Sequence, residues 1–149
     1  MTDLLVLDAS VLIAAMSVGD AHHAEARGIL REGARTQGLI AHTMTLAESA
    51  VGAVRTGRER EIDIAFRVLG IRVSPSSEGE SMRLARLRAR TRLPLLDCCV
   101  LDAAIEAGAA LATFDKRLGT AAHESGVSVV PTPRFTGPRR GLATEQQRG

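Results

Sequence analysis

Aromatic residues are almost missing: the 149 residues hold three Phe, no Tyr and no Trp. Whatever this chain binds, it does not rely on a platform of stacked rings. Cysteine is nearly absent too, and the only two, Cys98 and Cys99, are adjacent. Neighbours on a helix point in different directions, so they read as two small buried hydrophobes rather than a disulfide. No apolar run approaches the ~20 residues that span a bilayer. The N-terminal stretch carries Asp3 and Asp8 where a secretory signal would be basic. A cytoplasmic protein with no membrane contact is expected. Strong charge of either sign is also lacking, with a formal net charge of +2 that hints only faintly at an anionic partner. Eighteen of the nineteen basic residues are Arg, whose planar fork donates two hydrogen bonds at once and suits phosphate.

What remains is enough for one domain with a real core. Short apolar runs (Leu4–Leu7, Leu39–Ala41, Ile71–Val73, Ala109–Ala112 and Val127–Val130) alternate with longer amphipathic stretches. The spacing predicts helices near 10–17, 21–34, 45–55, 59–69, 78–91, 97–107 and 116–124. Runs that are apolar throughout, rather than alternating, suit strands buried on both faces of a parallel sheet. The expected fold class is therefore α/β, an α/β/α sandwich around a central, mostly parallel five-stranded sheet. After Pro131 the composition shifts to Pro, Gly, Arg and Gln with little to bury. Residues 1–131 read as the domain and 132–149 as a flexible tail.

Asp8 stands in the middle of the apolar run "LLVLDASVLIAA", where an unpaired buried charge would cost several kcal/mol. It follows a strand, as does Asp115 in "ALATFD"; Glu48 and Asp97 fall at expected helix starts. Each acid has a purely structural explanation. Asp8, Asp97 and Asp115 could cap helices, and Thr45-x-x-Glu48 matches a capping box. Together the four make another reading attractive, because ligands of open parallel sheets sit outside the carboxyl ends of the strands. Four carboxylates gathered there repel unless a cation lies among them. Mg²⁺ or Mn²⁺ takes carboxylate oxygens and keeps waters that phosphate can replace.

The ordered stretches "LLVLDASVLIA", "TMTLAESAVGAV" and "LPLLDCCVLDAAIEAGAALATFDKRL" resemble the acidic motifs of PIN-domain ribonucleases. Within these, the chain is similar to the VapC-type toxins of bacterial VapBC toxin–antitoxin systems. The likeness covers residues 3–130 and implies a PIN-like sandwich and an endoribonuclease dependent on Mg²⁺ or Mn²⁺. It implies hydrolysis of an RNA phosphodiester by a metal-activated water, with no amino-acid nucleophile. Carried onto this sequence, it makes Asp8, Glu48, Asp97 and Asp115 the catalytic, metal-holding acids. Ser10 and Thr113 become their hydrogen-bonding supports. It also implies a homodimer silenced by a cognate VapB-type antitoxin.

Two positions depart from the family pattern. Asp102 stands where relatives usually have a small or neutral residue, about 140° round the helix from Asp97, and so outside the metal site. Leu118 stands where some relatives carry a further acid, so a second metal is expected to bind weakly or only with ligands from RNA. The stretch "RLARLRARTR" supplies Arg83, Arg86 and Arg90 as candidate RNA contacts beside the acids, or else a solvated helix face. His22 and His23 read as an exposed pair at a helix start rather than ligands. Two other readings stay open: an RNA-processing PIN nuclease without an antitoxin, and a PIN module that binds RNA or protein without cleaving. A haloacid-dehalogenase-like phosphatase is disfavoured because "DAS" has Ser10 where the second acid should be. No glycine-rich phosphate loop follows the first strand.

Overall fold

Backbone pairing of the short apolar runs organises everything else. The structure, a computed structural model, describes residues 3–132, so all but the first residue of the segment read as a tail lies outside it. The strands are β1 (Leu4–Leu7), β2 (Gly38–Ala41), β3 (Arg72–Val73), β4 (Ala110–Ala112) and β5 (Val129–Val130). All neighbouring pairs are parallel, in the order β3-β2-β1-β4-β5 with β1 central. The helices are α1 (Ala9–Met16), α2 (His23–Thr36), α3 (Thr43–Arg55), α4 (Glu59–Val68), α5 (Glu80–Thr91), α6 (Leu95–Ala107) and α7 (Lys116–Glu124). Every expected helix and strand is present.

Alternation along each strand divides the core in two, since successive side chains point to opposite faces. Val6, Ile40 and Leu111 pack with α5, α6 and α7, around Leu87, Leu101 and Leu118. Leu5, Leu7, Leu39 and Ala112 pack on the other face with α1 and α2, around Leu12 and Leu30. The runs are apolar throughout because both faces are covered. Coverage thins at the edges, where a strand has one neighbour: Val129 and Val130 of β5 are half-buried, and Arg72 and Val73 of β3 are exposed.

Strand order locates the site. From β1 the chain moves outward to β2 and β3; from β4 it moves the opposite way to β5. The crevice where these paths diverge lies at the carboxyl ends of β1 and β4, which is where α/β sheets place ligands. Helix α3 closes over this region and packs against α1 of one layer and α6 of the other. Two left-handed helix ends set the approach of α6. Gly108 ends it with φ 58°, which costs glycine nothing. Arg92 ends α5 with φ 60°, a conformation unusual for a side-chain-bearing residue. The Arg88 guanidinium holds that turn by donating to the carbonyls of Arg92 (2.8 Å) and Leu93 (2.7 Å).

Leu111 is fully buried in the central part of the sheet. Leu111→Ala should cost about 2–5 kcal/mol, as a cavity that rigid strands cannot collapse. Guanidinium unfolding followed by circular dichroism measures it, and a loss below about 1 kcal/mol would mean the core is looser than the packing implies.

Candidate active site

Asp8 is buried, at 6% exposure, directly after β1. Its N–H donates to the Ala112 carbonyl at 3.0 Å, which carries the β1–β4 pairing one residue past the strand. Its carboxylate is held by hydroxyls: Ser10 Oγ donates to Oδ2 at 2.6 Å and Thr113 Oγ1 donates to the same oxygen at 2.8 Å. Those hydroxyls are fixed in turn by backbone. The Phe114 N–H donates to Ser10 Oγ at 3.1 Å, and the Asp115 N–H donates to Thr113 Oγ1 at 3.0 Å. No donor among the described residues reaches Oδ1, and no buried side-chain oxygen among them is left unpaired, so Oδ1 is open to solvent.

Capping does not account for these acids, with one exception. Asp8 occupies the N-cap of α1 but makes no side-chain capping bond. Asp97 lies in the first turn of α6, whose N-cap is Pro94. The capping box proposed for Thr45 and Glu48 is absent, because α3 begins two residues earlier than its periodicity suggested. His42 is the N-cap, its Nδ1 accepting from the Met44 N–H at 3.1 Å, while Thr45 is buried inside the helix. Glu48 is left exposed in the second turn. Only Asp115 caps, with Oδ1 accepting from the Leu118 N–H at 3.0 Å at the start of α7.

The four acids share one electrostatic environment. The Asp97 carboxyl is pushed up to about 6, first by burial and then by the charges of Asp8, Asp115 and Glu48, while Arg117 opposes the rise. Among the described residues, no three His, Cys, Asp or Glu side chains converge to ready ligating geometry. The donor chemistry still fits a hard divalent cation: the acids offer only carboxylate oxygens, and like charges that raise Asp97 are what such a cation would relieve.

The structure separates the candidate arginines. Arg83 is tied to buried Asp102, Nε to Oδ1 at 2.9 Å and Nη2 to Oδ2 at 3.2 Å, with Glu106 at 3.4 Å. Asp102 thus joins α6 to α5, away from the acid set. Arg86 and Arg90 are exposed on α5. Leu118, the position where some relatives carry an acid, is fully buried in the core. Cys98 and Cys99 are buried and unbridged, and burial raises both thiols. His22 is exposed as expected, whereas His23 is partly covered and contacts the Ala14 carbonyl through Nδ1 at 2.9 Å.

Sequence reasoning missed two arrangements. The His22 ring stacks on Phe114, centroids 4.3 Å apart and 12° from parallel, pinning the α1–α2 connection against the end of β4. The placement of one of only three Phe beside Asp115 was the available signal. His42 also bonds Glu80 through Nε2 at 2.9 Å, and Ser76 Oγ donates to the same carboxylate at 2.9 Å. These bonds hold the Glu80 carboxyl below its ordinary range. Because Nδ1 accepts from Met44, Nε2 carries the proton, and one imidazole ties the starts of α3 and α5 together.

A five-stranded parallel sheet flanked by helices, with acids following its central strands, defines an α/β protein with an acidic candidate site. More particularly, the chain belongs to the PIN domain family, whose model matches residues 5–124 and so spans all four acids, Ser10 and Thr113. PIN domains are generally nucleases. No curated protein matches the chain by sequence. Among solved structures it is similar to VapBC2 from Rickettsia felis bound to a DNA fragment from its promoter. That match has 14% identity and a TM-score of 0.65, and covers 85% of this chain and 96% of that one. It is also similar to PAE2754 from Pyrobaculum aerophilum, with 18% identity, a TM-score of 0.57, and coverage of 85% and 83%. At these identities the likeness is one of fold. Among the described residues no helix is long and apolar enough to cross a membrane.

The raised Asp97 gives a signed pH dependence. Its carboxyl ionises near 3.8 when unperturbed and near about 6 in the fold. It therefore costs folding nothing below about pH 4, increasingly much between about pH 4 and 6, and a constant amount above. Relative to Asp97→Asn, the metal-free wild type should lose about 1–2 kcal/mol across that window, allowing for solvent screening of a partly buried group. Thermal melts of both proteins from acid to neutral pH test this. Parallel curves would mean the acids do not crowd Asp97.

Proposed function

We propose that the chain is a metal-dependent endoribonuclease and the toxin of a type II toxin–antitoxin pair. One observation supports the nuclease reading: the Asp97 carboxyl feels the charges of Asp8, Asp115 and Glu48, and Asp8 and Asp115 follow the adjacent strands β1 and β4. Mg²⁺ or Mn²⁺ held by these acids would supply an activated water and stabilise the leaving oxygen of the phosphodiester.

The chain's own residues do the positioning. Asp8 and Asp115 present oxygens from the ends of paired strands, where backbone hydrogen bonds fix them. Ser10 and Thr113 orient the Asp8 carboxylate by donating to Oδ2. Glu48 and Asp97 are carried on α3 and α6, so their contribution to the site depends on how both helices pack. No side-chain nucleophile is needed, and the buried cysteines take no part. The toxin reading is supported by the motif resemblance and by the fold shared with a VapBC complex. Its implied partners are an RNA substrate, a VapB-type antitoxin and a second copy of the chain.

Asp8→Asn and Glu48→Gln keep size and polarity while removing charge. Each should lower RNA cleavage by at least about 100-fold with the fold intact, and chelation with EDTA should do the same to the wild type. Cleavage at the wild-type rate by either variant would sink the metal-site reading. A second measurement addresses the partner. The product of a short adjacent gene, co-expressed, should copurify with the chain and suppress cleavage; cleavage undiminished in its presence would leave a nuclease that is not a toxin.

A further inference from the structure

Beside the acids lies a groove of about 390 Å³ between the end of α5 and the start of α7. Its cations are Arg90, Lys116 and Arg117, opposed by the single carboxylate of Glu124. Lys116 is the only lysine in the chain. It and Arg117 directly follow Asp115, so the groove begins one residue, about 3.8 Å of backbone, from the acid set.

Some basic residues of the fold are engaged by carboxylates, and among the described residues the groove cations are not. Arg83 is spent on Asp102, Arg35 on Glu32 and Arg67 on Asp63. Arg90 and Arg117 instead contact neutral groups, the Ser125 hydroxyl at 3.3 Å and the Arg92 carbonyl at 3.5 Å. Among the described residues no carboxylate pairs with Arg90, Lys116 or Arg117. The groove hydroxyls are turned inward: Thr91 Oγ1 donates to the Leu87 carbonyl at 2.7 Å, and Thr120 Oγ1 donates to that of Lys116 at 2.9 Å. Donors for a ligand are therefore the three cations, and the chemistry they suit is an anion with several acceptor oxygens.

We propose that this groove grips the RNA backbone phosphates adjacent to the one being cleaved, one each at Arg90, Lys116 and Arg117. The proposal rests on the nuclease reading and supplies what that reading lacks, a reason for RNA to approach an acidic edge. The Arg117 charge is also felt at Asp97, where it opposes the three acids. With almost no rings to stack on bases, grip on the backbone is tolerant of sequence and sensitive to salt.

The test is fluorescence anisotropy with a short labelled single-stranded RNA, in EDTA so that nothing is cut, across a salt series. Each phosphate contact contributes about 0.7 to the slope of log affinity against log salt. Removing three, in Arg90→Ala/Lys116→Ala/Arg117→Ala, should flatten the slope by about 2 and weaken binding at least about tenfold at low salt. With Mg²⁺ present, KM should rise far more than kcat falls. The control is Arg27→Ala/Arg31→Ala/Arg35→Ala on α2, which removes equal charge from another face and should leave the slope unchanged. Equal flattening by both triples, or none by the groove triple, would overturn the groove. If the triple variant does not fold, Arg90→Gln and Arg117→Gln should each flatten the slope by about 0.7, and unchanged slopes overturn it equally. A wild type that cleaves no RNA, with slopes still flattened only by groove variants, would retire the nuclease and keep the groove as an RNA site. Unchanged slopes in a wild type that does cleave would do the reverse.

Discussion

The carboxylate of Asp8 is the constraint on which the rest depends. It is buried at the end of the most buried strand, an arrangement that is costly unless the charge is answered. Two hydroxyls answer it at one oxygen, and both are themselves fixed by backbone N–H groups of the β4 exit. The register of β1 against β4, the turn after β4 and the start of α1 are therefore one construction. Moving any part of it would strand a charge or a hydroxyl. An ordinary loop could carry an acid to the same place, but not hold it to the same tolerance.

Around that fixed point the other acids arrive by different routes. Asp115 comes from the same strand exit and spends one oxygen starting α7. Glu48 and Asp97 come on helices, and their placement depends on how α3, α5 and α6 pack. Polar ties set that packing: His42 to Glu80 joins α3 to α5, and Arg83 to Asp102 joins α5 to α6. Neither tie touches the acids. Each helps set the packing of a helix that carries one of these acids.

Much of this was legible beforehand. Continuous apolar runs marked strands covered on both faces, and the parallel sheet followed. Asp8 and Asp115 stood out because they fell where strands end, Glu48 and Asp97 because they fell at expected helix starts, and the family motifs put the four in order. What escaped was decided by tertiary geometry. The start of α3 shifted because an imidazole can cap a helix, so Thr45-x-x-Glu48 had the spacing of a capping box without its function. The arginines of α5 were indistinguishable in sequence, since exposure and pairing depend on what α6 sets opposite each one. Arg83 met Asp102, whereas Arg90 met only a hydroxyl. The stack of His22 on Phe114 spans ninety-two positions and leaves no local trace beyond the rarity of its Phe.

The sheet divides the apolar interior into two bodies that share no side chains, one under α1 and α2, the other under α5, α6 and α7. The mouth of the site is where the partition ends. A ligand held there by Asp8, Glu48 and Asp97 would touch the dividing wall, the helix that straddles it and one flanking layer at once. It would act as a rivet through a laminate, coupling plies that otherwise communicate only through the strands. Binding would then be felt as a change in cooperativity of the whole domain rather than as stiffening of one edge.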